Sequence, residues 1–225
     1  MSFLVTDGFG VDALALLVSV AVVGGYHFYL RRRLARDPNY TVQAVNREAR
    51  RRWVQHIMSS ESNSILGVQT LRNSTMAATF LASTAVLLIM GTLSLTGQAD
   101  KLADTWHALN LGGALHAGLW ITKLLALVAD FFVAFFSFSM AIRLFNHVGY
   151  QLGVPAGADG RPTHLRPEAV AIHLNRAGHY YSVGMRAYYF AVPLVFWLFG
   201  PYFLVAASVV LILVLYRVDR MPTAD

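Results

Sequence analysis

The sequence predicts an all-α, polytopic membrane helical bundle of about four transmembrane helices with cytoplasmic amphipathic helices. Three observations carry this. Hydrophobic residues make up 56% of the 225-residue chain and charged residues only 13%, far from a soluble balance. Three uncharged or nearly uncharged runs are long enough for a bilayer core of about 30 Å, which asks for roughly 20 helical residues. The arginines gather in two of the connections, as basic residues that resist translocation do. A single membrane domain over residues 1–225 follows.

The first run spans about 11–30, and the N-terminal MSFLVTDGFGVDALALL has neither a positive leader nor a small-residue cleavage site, so this run is expected to stay in the mature protein. Residues 75–96 and 117–142 form the second and third spans. The fourth apolar run, 187–216, is interrupted by Pro193 and by Gly200-Pro201. It reads as one kinked crossing, with a hairpin at Gly200-Pro201 as the alternative. Hairpin arms counted within the run hold only about 13 and 15 residues and would reach about 20 Å each at 1.5 Å per residue.

Orientation rests on the 31–74 connection, with nine arginines, and the 143–186 connection, with five. Both are expected inside and the N-terminus outside, in a bacterial inner membrane. A single fourth crossing then places Arg217 and Arg220 outside, against the rule. Within the first connection Val42, Val45, Ala49, Trp53 and Ile57 share one helical face while Arg47, Arg50 and Arg51 fall on another. This suits an interfacial helix on anionic headgroups, or a helix packed on the ends of the spans. Residues 153–167 read as a Gly/Pro-rich loop, and Pro167-Glu168 as the first turn of a helix leading into the fourth run.

Three stretches, Leu71–Ser83, Ala141–Gly153 and Met185–Pro201, resemble the bacterial and plant membrane family known as domain of unknown function 599. The resemblance implies a four-span membrane protein. It carries over no catalytic or binding residue.

Candidate functional residues therefore come from chemistry alone. Asp130, central in the third span, needs partners because a mid-membrane carboxylate costs about 2.5–3.5 kcal/mol. Candidates at similar depth are Ser19, Ser83, Thr84 and the break at Gly200-Pro201, where a proline frees a carbonyl. Lys123 is on the same face of the span but about 10 Å away, and is expected to snorkel outward. Ala126, Asp130, Ala134, Ser137 and Ala141 form a small-residue stripe suited to close helix contact within the chain or with another copy. Arg47, Arg50, Arg51, Arg72, Arg143 and His147 are candidates for lipid or anion contact. Alternatively, these arginines cap helices and enforce topology.

No cysteine is present, and no histidine pair has the spacing of a helical metal face. His27 with His147, and His107 with His116, are only weak metal or haem candidates, and no cofactor is expected. Nucleic acid is not an expected partner. The leading expectation is a non-enzymatic scaffold or accessory subunit that self-associates or joins a larger membrane complex. A small proton or monovalent-cation channel using Asp130 and the fourth run is the alternative, and a haem- or metal-binding protein comes third.

Overall fold

The computed structural model describes residues 2–97, 117–154 and 165–220. They form six α-helices: α1 (Ser2–Arg36), α2 (Val42–Met58), α3 (Ser64–Thr96), α4 (Ala117–Leu152), α5 (Pro167–Trp197) and α6 (Pro201–Val218). Four stretches are long and apolar enough to cross a membrane: Phe9–Arg36, Ser64–Thr96, Gly118–Leu152 and Pro201–Val218. The chain is a polytopic membrane helical bundle. Leu17, Phe80, Leu87, Phe136 and Leu213 turn outward on these helices, a large apolar exposure that lipid accommodates and water does not. Asp100, Lys101, Asp104, His107 and His116, together with most of the 153–167 loop, lie outside the described residues.

The helices stand in the row α3, α4, α5, α6, α1. Ala82 and Ala85 of α3 meet Ala134 and Phe138 of α4, and Ile89 meets Leu127 and Phe131, so these two helices are antiparallel. Small residues let the backbones approach. Val148 and Leu152 of α4 pack on Val170 and Leu174 of α5, while Val128 packs on Ala191, again antiparallel. Gly184 of α5 admits the Phe138 ring: a Cβ there would stand 2.8 Å from its nearest carbons. The stripe predicted on the third span is thus largely an intrachain seam, with Ala134 and Ala141 fully buried. On the far side α1 and α6 run parallel, Ala15 against Leu204 and Tyr26 against Leu211 and Leu215.

The fourth apolar run is not one kinked crossing. Helix α5 tightens at its end, with the N–H groups of Leu198, Phe199 and Gly200 bonded three residues back, each at 3.1 Å. Gly200 then takes φ 141°, which a side chain disfavours, and Pro201 opens α6. The chain reverses, so that Trp197 packs near Leu204 and Arg186 reaches Asp219 at 3.1 Å. The first arm is longer than its apolar residues alone suggest. Helix α5 begins at Pro167 and has 31 residues, and its polar half is covered by α2 and α4 rather than by lipid. Arg217 and Arg220 consequently return to the arginine-rich end, which removes the charge conflict of the single crossing.

Helix α2 packs on the bundle. Val54, Ile57 and Met58 join Leu71, Phe145, Val148 and Leu174 in one buried cluster, with Trp53 against it. Its start is fixed by Thr41, whose Oγ1 accepts the Ala44 N–H at 3.2 Å. Of the two readings of this helix, packing on the ends of the spans is the observed one.

Candidate functional site

Asp12, Ser19 and Tyr26 follow one another at seven-residue intervals on α1, and all three are buried. Each interval is about two helical turns, roughly 10 Å along the axis. The face they share turns toward α4, α5 and α6 and divides the bundle into three polar levels.

At the first level, Lys123 Nζ of α4 lies 2.9 Å from Asp12 Oδ1, with side chains 3% and 1% exposed. The Trp197 Nε1–H of α5 donates to the same carboxylate oxygen at 2.7 Å. The ammonium also sits 5.4 Å from the centroid of the Trp197 ring. Three helices are therefore joined through one carboxylate. Two charges so deeply enclosed are tolerable only as a pair with further hydrogen bonds. The sequence predicts an outward Lys123; the structure turns it inward, onto Asp12.

The third level sits near the arginine-rich end. Tyr26 donates its O–H to Asp219 Oδ2 at 2.8 Å, and Arg186 Nη2 donates to the same oxygen at 3.1 Å. Arg186 Nη1 lies 3.0 Å from His27 Nε2, and His27 Nδ1 lies 2.9 Å from the Val23 carbonyl. An imidazole with its hydrogen on Nδ1 satisfies both contacts. The Asp219 carbonyl accepts the Val42 N–H at 3.1 Å, tying the start of α2 to the end of α6.

Between these levels lie Ser19 and Asp130. Since α1 and α4 run the same way and Asp12 meets Lys123, the residues seven positions on, Ser19 and Asp130, occupy a common depth. Ser208 of α6, 1% exposed, belongs there too, its Oγ donating to the Leu204 carbonyl at 2.8 Å. Ser19 Oγ and Asp130 Oδ2 are both enclosed and have no hydrogen-bond partner among the described residues. A polar atom enclosed in this way is costly unless something completes it.

Other predicted members of this site lie elsewhere. Ser83 is exposed on α3, and Thr84 donates to its own helix at Phe80. Both are turned from Asp130 because their neighbours Ala82 and Ala85 make the α4 seam. Ser137 is buried one turn beyond Ala134. Gly200 and Pro201 form the turn at the Asp12–Lys123 end, with the Trp197 carbonyl bonded to the Gly200 N–H. They are neither at mid-membrane nor a source of a freed Trp197 carbonyl.

The candidates for lipid or anion contact do not converge on one point. Arg47, Arg51, Arg72, Arg143, Arg176 and His147 are exposed, whereas Arg186 turns inward to Asp219. Arg50 is half-buried. Its Nε donates to Asn175 Oδ1 at 2.9 Å, and burial holds its guanidinium below the usual value, with Arg47 adding to the effect. His27 makes a contact with each ring nitrogen within the bundle, and His147 is exposed on α4. Among the described residues no three His, Asp or Glu side chains converge on a possible metal position.

Residues 14–224 match the family described as Protein of unknown function, DUF599. No curated protein and no solved structure matches the chain.

Proposed function

Because the chain belongs to the DUF599 family, whose description assigns no activity, we propose from its residues that it passes protons along the polar face of α1. Asp130 is the group that takes up and releases them. The arginine-rich end is assigned to the cytoplasm and the N-terminus to the outside of a bacterial inner membrane. The distribution of arginine, now including Arg217 and Arg220, supports this orientation.

The observation that carries the reading is the unsatisfied middle level. A packing or scaffolding role accounts for Asp12–Lys123 and for Arg186–Asp219, since satisfied ion pairs join helices. It does not account for Ser19 Oγ and Asp130 Oδ2, which hold nothing together. A proton suits these groups better than a cation. A dehydrated cation asks for several oxygens at once, whereas one carboxyl with a hydroxyl at the same depth is enough for a proton relay. Water completing Ser19 and Asp130 would link them to the levels above and below, about 10 Å away in each direction.

The test is proton flux in proteoliposomes under an imposed pH gradient. The parent should dissipate the gradient faster than protein-free vesicles, and Asp130→Asn should return the rate to that of empty vesicles while melting at the parent's temperature. Parent vesicles no leakier than empty ones would overturn the proposal.

A further inference from the structure

A groove of about 640 Å³ opens between α2 and α3 at the arginine-rich end. Trp53, Leu71, Phe145 and Leu174 make its apolar floor, and Arg50 lines it beside Asn46 and Asn73. We propose that this groove holds one anionic phospholipid, its phosphate on Arg50 and the upper part of its acyl chains on the apolar floor.

Arg50 is prepared for this in a way its neighbours are not. Arg52 is paired with Glu48 at 2.9 Å, and Arg47 and Arg51 are exposed. Arg50 makes no ion pair among the described residues. It is held against α5 by Asn175, and Gly178 leaves the space its guanidinium fills: a Cβ at 178 would stand 2.7 Å from Arg50 Cζ. The fork is thus fixed by Nε while its charge is uncompensated, the arrangement that suits bidentate phosphate recognition. Neither the Asn46 nor the Asn73 side chain has a hydrogen-bond partner among the described residues, so both amides are available as donors to the same phosphate. The location adds a second argument. The groove lies where α3 and α4 leave their apolar stretches, at the depth of headgroups, and a basic end attracts anionic lipid. Half-buried cation and apolar floor side by side match an amphiphile, not a free anion.

The experiment is native mass spectrometry of the full-length, delipidated protein titrated with phosphatidylglycerol or phosphatidylcholine of identical chains. One phosphatidylglycerol per chain should bind about tenfold more tightly than phosphatidylcholine, the effect of one strong charge-assisted contact. Arg50→Gln should abolish that preference, and so should Asn46→Asp, an exposed change that repels phosphate without touching the core. Arg51→Gln should alter it less than about twofold, as an exposed charge does. Equal affinity for the two lipids in the parent would overturn the proposal in favour of an acidic protein partner. Retention of the preference in both Arg50→Gln and Asn46→Asp would place the lipid elsewhere. Displacement of the lipid by low millimolar inorganic phosphate would reassign the groove to a soluble anion.

Discussion

Lys123→Met removes the ammonium from the most deeply enclosed ion pair and leaves Asp12 in place. The carboxylate keeps the Trp197 N–H at 2.7 Å, but at 1% side-chain exposure it has no access to solvent to replace the lost charge. Breaking a buried pair from one side costs about 3–5 kcal/mol. For a chain of this size each kcal/mol lowers the melting temperature by about 2–4 °C, so a fall on the order of 10 °C is expected. Asp12→Asn in the Lys123→Met background removes the stranded charge and retains an acceptor for Trp197. It should recover more than half of the loss. Recovery stays incomplete because the ammonium's contact with the Trp197 ring, of about 0.5–2 kcal/mol, is not restored. The assay is thermal unfolding of the four proteins of this cycle in detergent micelles at one pH. A single variant within about 0.5 kcal/mol of the parent, or a double variant that loses the sum of the two singles, would refute the reasoning.

Three further outcomes test the fold. Gly184→Ala should cost about 1–3 kcal/mol, because the new Cβ meets the fully buried Phe138 ring at 2.8 Å; Phe138→Leu in the same protein should relieve it, as read by melting temperature. Gly200→Ala places a side chain at φ 141° and should cost about 1–2 kcal/mol, whereas Gly10→Ala, with open space at its Cβ position, should be neutral or better. The chain has no cysteine, so single cysteines at Gln55, Phe199 and Arg217 report sidedness directly. Gln55 and Arg217 should label from one face of the membrane and Phe199 from the other; Gln55 and Arg217 on opposite faces would restore the single crossing.

Apolar length made the first three spans legible, but not their ends. Helix α1 continues to Arg36, α3 begins at Ser64 and α4 runs to Leu152, because arginine and leucine extend a helix once it has formed and no proline intervenes. The same habit of ending a helix where apolarity ends concealed the α5–α6 hairpin. The helix that the sequence predicts from Pro167 carries His179, Arg176 and Glu168 and so counts as part of the connection, although it is one continuous helix with the apolar half that follows. At the site, Asp130 is legible as an acid within a span, half-buried with its Oδ2 enclosed, while its setting is not. The missed signal is the spacing of Asp12, Ser19 and Tyr26, which repeats the seven-residue step from Lys123 to Asp130. Asp12, at the very start of the first apolar run, counts by sequence as one of the N-terminal charges on the outer side. The groove depends on which way the α2 helix turns, and its periodicity fitted lipid and protein equally.

The bundle contains its own comparison for what the polar levels do. The α3–α4 seam is made of Ala82, Ala85, Ala134 and Phe138, and the polar side chains near it, Thr84 and Ser83, bond to their own helix or turn out. Close packing with small residues is therefore available to this chain without any buried charge, and it is used where two helices need only adhere. The α1 face follows a different plan. Two of its levels enclose complete ion pairs, Asp12–Lys123 and Arg186–Asp219, each of which removes the net charge from its level. Asp130 is then the acid between them with no counterion among the described residues. If the polar levels served only to attach α1 to the rest of the bundle, an alanine or leucine at 130 of α4 would pack better and cost nothing to enclose, as the neighbouring Ala134 shows. Two neutralised levels bracketing one uncompensated carboxyl are instead the arrangement in which a single proton changes the charge of the membrane interior and no other group cancels it. This is why Asp130→Asn, which keeps the size and polarity and removes only that charge, separates proton passage from packing.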